Sequence, residues 1–298
     1  MLELTQAKVE KWLELVDGGF TVKDIWAELE VNHPDNRTNL RQILHRLQEK
    51  GVIAKSSHNG TYRKLDTAVS VINWQSADPQ AVVPLQLPFE IHRYCKLYPK
   101  SVVIVAGQKN AGKTSFLYKT TVLNMNMFET DLYNNETGAE QMQERFSYLD
   151  VPTPPPFKSY ERYDNFADVI HPEHLSIIDY LDTNSEVYLV GAEIDAIFRK
   201  LTTGIAIIGL QKPPPARVLV RGKMTTQDRD LAYGGGFTAK RAALYISLGN
   251  SKCKLVYVKT PMNPRVNPNN MQWTYSVGLD GYFTNINRYY GEEENWEQ

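Results

Sequence analysis

Cysteine is scarce in this chain, and long apolar runs are missing from it. Only Cys95 and Cys253 occur among 298 residues. They have no metal-ligand spacing, and we expect no disulfide between them, which indicates a reducing cytoplasm. No stretch approaches the roughly 18 apolar residues of a membrane-spanning helix. Residues 1–5, Met-Leu-Glu-Leu-Thr, lack the pattern of a signal peptide. We therefore predict a cytoplasmic protein with no membrane partner.

An excess of either charge is missing as well. The formal net charge is −1, with 42% hydrophobic and 22% charged residues, the ordinary balance of a globular protein. This total neither indicates nor excludes a nucleic-acid partner, because a basic patch can be balanced by acidic surface elsewhere. The sequence has no internal repeat, and its length leaves room for two domains with a sizeable core.

One motif is far more specific than the composition. Residues 107–114 read Gly-Gln-Lys-Asn-Ala-Gly-Lys-Thr and fit G-x-x-x-x-G-K-[ST], between the apolar run Val102–Ala106 and the helix-compatible stretch Ser115–Asn124. Backbone N–H groups of such a loop and of the helix start form a positively polarised cup for phosphates. Lys113 can reach the β- and γ-phosphates, and the Thr114 hydroxyl can ligate Mg²⁺. The motif therefore predicts binding of ATP and Mg²⁺ by Gly107, Gln108, Lys109, Asn110, Ala111, Gly112, Lys113, Thr114 and Ser115.

A carboxylate suited to activating water follows the next predicted strand. Met127–Tyr133 is a plausible strand that leads into Asn134-Asn135-Glu136-Thr137-Gly138. At the end of a strand beside a phosphate site, a carboxylate can polarise water for attack on the γ-phosphate. Taken alone, Glu136 is typical of a surface or helix-start residue. Its position after the phosphate loop favours a catalytic base, and we predict that it acts together with Lys113.

Two more strand ends complete the predicted site. Leu175–Asp179 is an apolar strand that ends in an acid, the Walker B pattern, whose carboxylate holds the Mg²⁺ shell. Asp182 is close enough to be an alternative. Gly204–Leu210 is an apolar strand ending at Gln211, a residue that can sense the γ-phosphate and pass its state to the following loop.

That loop, residues 212–235, has the composition of a mobile segment. Long loops in compact domains tend to be functional or disordered, and the basic charge of this one suits a nucleic-acid backbone. A solvated surface loop is the alternative. The basic residues that we expect at DNA here are Arg217, Arg221 and Lys223, with Arg229 nearby.

Residues 1–66 have the pattern of a separate small domain. Apolar spacing predicts a helix over about Thr5–Val16, a second one capped by Thr21, and a third before a hairpin around Asn59-Gly60. Three short helices followed by a hairpin resemble a winged helix-turn-helix with the third helix as the recognition helix. Winged helices also serve as protein-interaction modules, which is the alternative. The residues expected to contact DNA are Arg37, Thr38, Asn39, Arg41, Gln42, Arg63 and Lys64.

In order, these pieces resemble the RecA-like ATPase core, and they are most similar to its replicative hexameric helicase branch, of the DnaB type. The phosphate loop, Glu136, Asp179 and Gln211 are followed by a predicted closing hairpin of residues 253–258 and 273–277. The fold class implied is α/β, a RecA-like P-loop core with a mainly parallel sheet, beside the small winged-helix domain. The core covers about residues 98–286, which leaves 67–97 as an extended linker and 287–298 as an acidic tail. Further stretches that carry the resemblance are Ile178–Leu181, Ala192–Leu201, Gly209–Gln211, Val258–Asn263 and Asp280–Phe283.

The resemblance implies assembly into a homo-oligomer, a ring or a filament, with each ATP site completed by a neighbour's arginine finger. The family pattern puts that finger two residues after Lys259, where this chain has Pro261. Arg265 is therefore expected to take the role, with Lys240, Arg241 and Lys259 as the other trans-acting candidates. A Gly-Gly-x-x-x-Lys arrangement before Lys240 also resembles the recombinase branch.

Three functions fit this pattern. The first is an ATP-driven DNA motor or helicase-like ATPase that works as an oligomer in replication or recombination of a phage, mobile element or prokaryote. The second is a filament-forming recombination factor. The third is an ATP-controlled DNA-binding switch with slow turnover, such as an initiation or regulatory factor.

Overall fold

A computed structural model describes most of the chain. The described residues are 4–16, 18–29, 31, 33–56, 60–66, 69, 71–181, 189–220, 223–249, 251–278 and 280–290, with only the backbone described for Leu15, Val218, Val220 and Lys223. Four predicted features lie outside them, namely Asn59 of the hairpin turn, the alternative acid Asp182, the DNA-contact candidate Arg221, and the acidic residues after Tyr290. The chain divides into two compact units, Met1–Ala77 and Asp78–Gln298. None of the described helices is long and apolar enough to cross a bilayer.

The first unit combines three helices with a small antiparallel sheet. The helices are α1 (Gln6–Leu15), α2 (Val22–Glu28) and α3 (Pro34–Glu49); the strands are β1 (Gly19–Thr21), β2 (Ile53–Lys55) and β3 (Thr61–Lys64), in the order β1-β3-β2. Thr21 and Asp24 form the capping box that starts α2, because each side chain accepts a hydrogen bond from the other's backbone N–H. The three predicted helices and the hairpin strands are therefore confirmed, and β1 is an additional strand.

Helical spacing determines which face of α3 is buried. Its apolar residues pack into one core with α1 and α2, while the opposite face of α3 is polar and exposed. The buried side chains of α3 are Leu40, Ile43, Leu44 and Leu47.

The second unit alternates strands and helices, as predicted. Its strands and helices are, in chain order, β4 (Ser101–Gly107), α4 (Lys113–Asn124), β5 (Thr130–Asn134), α5 (Ala139–Ser147), β6 (Lys158–Glu161), α6 (Phe166–Val169), β7 (Leu175–Asp179), α7 (Leu189–Lys200), β8 (Ile205–Gln211), β9 (Ala216–Val220), β10 (Lys223–Gln227), α8 (Gly236–Ala239), β11 (Ala242–Gly249), β12 (Lys252–Val258), β13 (Gln272–Val277) and β14 (Phe283–Tyr289).

Nine of these strands form one sheet in the order β14-β13-β12-β11-β4-β8-β7-β5-β6. The pairs from β11 to β6 are parallel and those from β11 to β14 are antiparallel. Every residue of β4 and β7 is buried because apolar clusters cover both faces of the sheet, one containing α4 and the other α6 and α7. The fold is thus mixed α/β with a large, mostly parallel sheet, which is consistent with a RecA-like core.

Strand register brings the predicted site residues to one edge of this sheet. Gly107 at the end of β4 lies opposite Gln211 at the end of β8. Asn134 at the end of β5 lies opposite Asp179 at the end of β7. Because parallel strands end at the same edge, ligand sites in such sheets form there.

The stretch predicted as a linker is only partly one. Leu85, Leu87 and Ile91 are almost fully buried in the core of the second unit. The Asn124 side chain accepts a hydrogen bond from Gln86 N–H at 2.9 Å and donates one to its carbonyl at 2.7 Å. Prolines in this stretch interrupt any helical or strand periodicity. The apolar residues between them nevertheless pack onto α4. This stretch also contains a 3₁₀ segment, Pro88–Arg93.

Two further expectations need correction. The segment 212–235 is not a loop throughout, since β9 and β10 pair as an antiparallel hairpin. Strand β14 was not predicted at all, and it takes up residues 287–289 of the expected tail. Asp280–Phe283 leads into this strand. The β9–β10 and β13–β14 hairpins each have at least one exposed, polar face. Apolar and polar residues therefore alternate only weakly along their strands.

Both cysteines are free, as expected, and both are buried. Burial raises the pKa of the Cys95 thiol to about 12 and that of the Cys253 thiol even further. Neither is therefore a reactive thiolate at neutral pH.

Candidate nucleotide-binding site

A cleft of about 440 Å³ opens at the sheet edge where the predicted site residues meet. Its floor is the loop between β4 and α4, which turns through positive φ at Asn110 (63°) and Gly112 (83°). A Cβ on Gly112 would lie 3.0 Å from Val277 and 3.1 Å from Phe283, so glycine is required for both backbone and space. The loop therefore directs the N-terminus of α4 into the cleft, as an anion site requires.

The lysine and threonine of the motif begin that helix. Lys113 is 6% exposed, and its ammonium lies 4.0 Å from the centre of the Tyr180 ring. Lys113, Thr114 and Ser115 all line the cleft. The loop predicted to bind phosphates thus leads into α4, and the Lys113 ammonium is held against an aromatic face.

Asp179 is fully buried behind this loop. Neither of its carboxylate oxygens forms a hydrogen bond of ordinary geometry within the described part of the chain. Burial raises the pKa of Asp179 to about 6, and the Lys113 charge and a contact with Thr114 offset part of this rise. An orphaned buried carboxylate of this kind indicates a missing partner.

Mg²⁺ fits that description. Thr114 and Asp179 supply one hydroxyl and one carboxylate, hard oxygen ligands that Mg²⁺ uses together with water and substrate phosphates. No group of three or more histidine, cysteine or acidic side chains that could hold a metal occurs among the described residues. The two predicted ligands would therefore share the ion with a nucleotide, where its charge neutralises phosphate oxygens.

Hydrogen bonds hold Glu136 at the mouth of the cleft. The Asn134 carboxamide oxygen accepts from the N–H groups of Glu136 and Thr137, both at 3.3 Å. Asn135 joins β5 to β7 through Tyr180, donating at 2.7 Å and accepting at 3.1 Å. Tyr118 of α4 shares a 3.0 Å hydrogen bond with the Thr137 hydroxyl. Glu136 is exposed and lines the cleft, so its carboxylate is open to water and close enough to raise the pKa of Asp179.

Gln211 also lines the cleft and connects it to the chain beyond β8. Its carbonyl accepts from Tyr233 N–H at 3.0 Å. The Gln108 amide of the phosphate loop donates to Asp228 at 3.2 Å, directly after β10. The phosphate loop and the base of the β9–β10 hairpin are therefore in contact.

Two residues near the cleft were not predicted from the sequence. The buried Tyr275 hydroxyl donates to the Ala111 carbonyl at 2.6 Å and so fixes the phosphate loop from β13. Arg145 of α5 lines the cleft with Glu136 and Gln211. No local pattern marks either residue, because their positions depend on how β13 and α5 pack.

The candidates for a trans-acting finger lie at the opposite edge of the sheet. Lys240 and Arg241 directly precede β11, which runs parallel to β4, so they lie at the edge away from the phosphate loop. Lys259 follows the antiparallel strand β12, and Arg265 lies in the connection to β13. Arg241 is already paired with Asp195 and stacked on Phe198. None of the four can reach the cleft of its own chain.

The candidates for DNA contact are largely exposed. Asn39 is the exception, since it is half-buried and its amide donates to the Leu4 carbonyl at 2.8 Å. Arg217 projects from β9, whereas only the backbone of Lys223 is described. The exposed candidates of the first unit are Arg37, Thr38, Arg41, Gln42, Arg63 and Lys64.

Fold and site together have the form expected of a P-loop nucleotide-binding domain. No protein-family model and no curated protein matches the sequence. A solved KaiC-like protein from the hyperthermophilic archaeon Pyrococcus horikoshii is similar at a TM-score of 0.47 and 13% identity, over 70% of this chain and 98% of its own. A RadB recombinase is similar at a TM-score of 0.41 and 12% identity, over 62% and 90%. Both similarities are low, so any assignment of function depends on the residues of the site.

The buried charge of Asp179 has a measurable consequence for stability. Because its folded pKa of about 6 exceeds the ordinary 3.8, stability falls as pH rises between these values and stays lower above them. In the ligand-free, metal-free protein, Asp179→Asn is expected to raise the free energy of unfolding at neutral pH by on the order of 2 kcal/mol. Urea denaturation with a chelator measures this, with exposed Asp168→Asn as the control. A variant less stable than the parent would contradict the assignment.

Proposed function

We propose that this protein is a Mg²⁺-dependent P-loop ATPase of RecA-like type that acts on DNA as an oligomer. One observation carries the ATPase assignment. The orphaned, fully buried carboxylate of Asp179 lies behind the Lys113–Thr114 loop, with Glu136 fixed at the neighbouring strand end. That arrangement would supply a phosphate cradle and a base in one cleft, with a metal ligand buried behind its loop.

Each group then has a defined role in hydrolysis. Lys113 and the backbone N–H groups of the loop hold the β- and γ-phosphates in line. Glu136 accepts a proton from water as the water oxygen bonds to the γ-phosphorus. The bond from that phosphorus to the β,γ-bridging oxygen breaks, which yields ADP and phosphate. Tyr275 keeps the loop in shape without touching the reacting atoms.

Gln211 and Gln108 are suited to report the state of the site. Gln211 lines the cleft and is bonded through its carbonyl to Tyr233, and Gln108 is bonded to Asp228. These contacts support coupling between the γ-phosphate and the β9–β10 hairpin, whose Arg217 is exposed. A basic hairpin that moves with ATP would grip and release a nucleic-acid strand.

The distribution of cations supports assembly into an oligomer. Lys240, Lys259 and Arg265 are exposed at the edge opposite their own cleft. A head-to-tail neighbour would bring such residues to the next site, and a heterologous contact of this kind forms rings or filaments. Four exposed apolar side chains favour the same conclusion, namely Val69, Val71, Ile72 and Trp74.

The first unit supports DNA as the partner. Its helices and hairpin fit a winged helix-turn-helix, and α3 presents a basic face with Arg41 at its centre. Phosphate-contacting arginines and side chains able to read base edges are the groups that such a helix needs.

A second candidate is an ATP-controlled DNA-binding switch or filament-forming recombination factor with slow turnover. The presence of Pro261 where the family resemblance puts an arginine finger favours it. Without a finger, bound ATP would persist and control assembly instead of driving movement.

ATP hydrolysis and DNA binding separate these functions. We expect Mg²⁺-dependent hydrolysis that single-stranded DNA stimulates, with strand separation if the protein is a motor. Filaments on DNA in negative-stain images would favour the recombination factor. Duplex-specific binding with negligible turnover would exclude the motor and favour the switch. Failure to bind ATP in the presence of Mg²⁺ would overturn the whole proposal.

A further inference from the structure

The side chain of Arg145 lines the candidate nucleotide cleft but forms no ion pair or hydrogen bond with the described part of the chain. It lies on α5, the helix that follows the loop of Glu136, and its half-buried side chain lines the cleft with Glu136 and Gln211. Across the described residues it forms no ion pair and no hydrogen bond, unlike Arg241, which is bound to Asp195. A half-buried arginine usually has an anionic or aromatic neighbour that fixes it.

Arg145 shares the cleft with the groups that would hold a triphosphate. Lys113, Thr114 and Glu136 line the same space as the Arg145 side chain. A guanidinium presents a rigid fork of donors that matches phosphate oxygens in pairs.

Arg145 differs in position from the residues predicted to act as arginine fingers. All four cations expected to serve as fingers lie away from the cleft of their own chain, and the finger position of the resembling family is Pro261. Arg145 is supplied by the same chain as Lys113 and therefore needs no neighbour to enter the site.

We propose that Arg145 binds the γ-phosphate within its own subunit and stabilises the charge that develops during hydrolysis. This inference rests on the proposed ATPase function and names a further catalytic residue for it. Arg145 thereby performs in cis part of the work of an arginine finger. Hydrolysis would then persist at a measurable rate in the isolated subunit.

The test separates a γ-phosphate contact from a merely structural role. We expect Arg145→Ala to lower kcat about 100-fold. Its affinity for a non-hydrolysable ATP analogue should fall about tenfold, while its affinity for ADP, which lacks the γ-phosphate, stays within twofold. Arg145→Lys should recover only part of kcat, because an ammonium lacks the paired donors. Arg93→Ala, which removes an exposed arginine, is the control.

Mixing variants decides between action in cis and in trans. Equimolar Lys113→Ala and Arg145→Ala chains contain no complete site if both residues serve the same subunit, so the mixture should stay inactive. Restored hydrolysis would place Arg145 in a neighbour's site and overturn the proposal. Equal losses of ADP and analogue affinity, or a parental kcat in Arg145→Ala, would overturn it as well. An inactive parent protein would instead contradict the ATPase assignment itself.

Discussion

Glu136→Gln is expected to lower kcat for ATP hydrolysis by about 10²- to 10⁴-fold while ATP still binds. Glutamine keeps the shape of the side chain and the loop held by Asn134 and Asn135, but it cannot accept the proton from water. Affinity for ATP should be equal or slightly higher, because a negative charge near the phosphates is removed.

Single-turnover hydrolysis and equilibrium binding of a fluorescent ATP analogue measure the two quantities separately. Glu144→Gln, an exposed carboxylate on α5, is the matched control and should hydrolyse at the parental rate. If Glu136→Gln hydrolyses ATP at the parental rate, Glu136 is not the base.

Lys113→Ala is expected to weaken ATP binding by about 100-fold or more and to reduce hydrolysis to background. Lys113 is nearly buried at the start of α4, so its charge acts on the phosphates with little screening by water. Truncating one partner of a buried charged contact costs about 2–5 kcal/mol, which corresponds to such a loss.

Titration with ATP and Mg²⁺ by calorimetry measures this loss, and thermal unfolding checks that the fold is intact. Lys158→Ala, which removes an exposed lysine from β6, should bind ATP like the parent. Retained affinity in Lys113→Ala would remove the phosphate loop from the site and the ATPase proposal with it.

The two variants are expected to separate the contributions of the two sides of the cleft. The loop and α4 would recognise phosphates through groups that are consecutive in sequence. The ends of β5 and β7 add Glu136 and Asp179, which are joined through Asn135 and Tyr180. We therefore expect Glu136→Gln to disrupt chemistry alone and Lys113→Ala to disrupt binding and chemistry together.

Local spacing in the sequence was sufficient to predict the phosphate loop, the core face of α3 and the strands that carry Asp179 and Gln211. These features depend on the backbone period and on a short motif, both of which neighbouring residues determine. The convergence of Glu136, Asp179 and Gln211 at one edge could also be predicted, because parallel strands end on the same side.

The structure of two segments with weak hydrophobic periodicity was predicted wrongly. The hairpin of β9 and β10 looked like a loop, because it pairs only with itself and buries little apolar surface. The stretch around Leu85 looked like a linker, because prolines interrupt it, although its apolar residues pack on α4. Burial of such segments depends on what the rest of the chain places beside them.

The sequence alone therefore predicted a nucleotide site and the groups of its own loop that would hold the phosphates. Tertiary structure decided the partners of that loop. Tyr275 reaches Ala111 across 164 residues, Arg145 enters the cleft from α5, and Lys259 lies at the opposite edge. The reason is physical: a motif encodes local backbone shape, whereas distant side chains meet only through the strand order and helix packing of the completed fold.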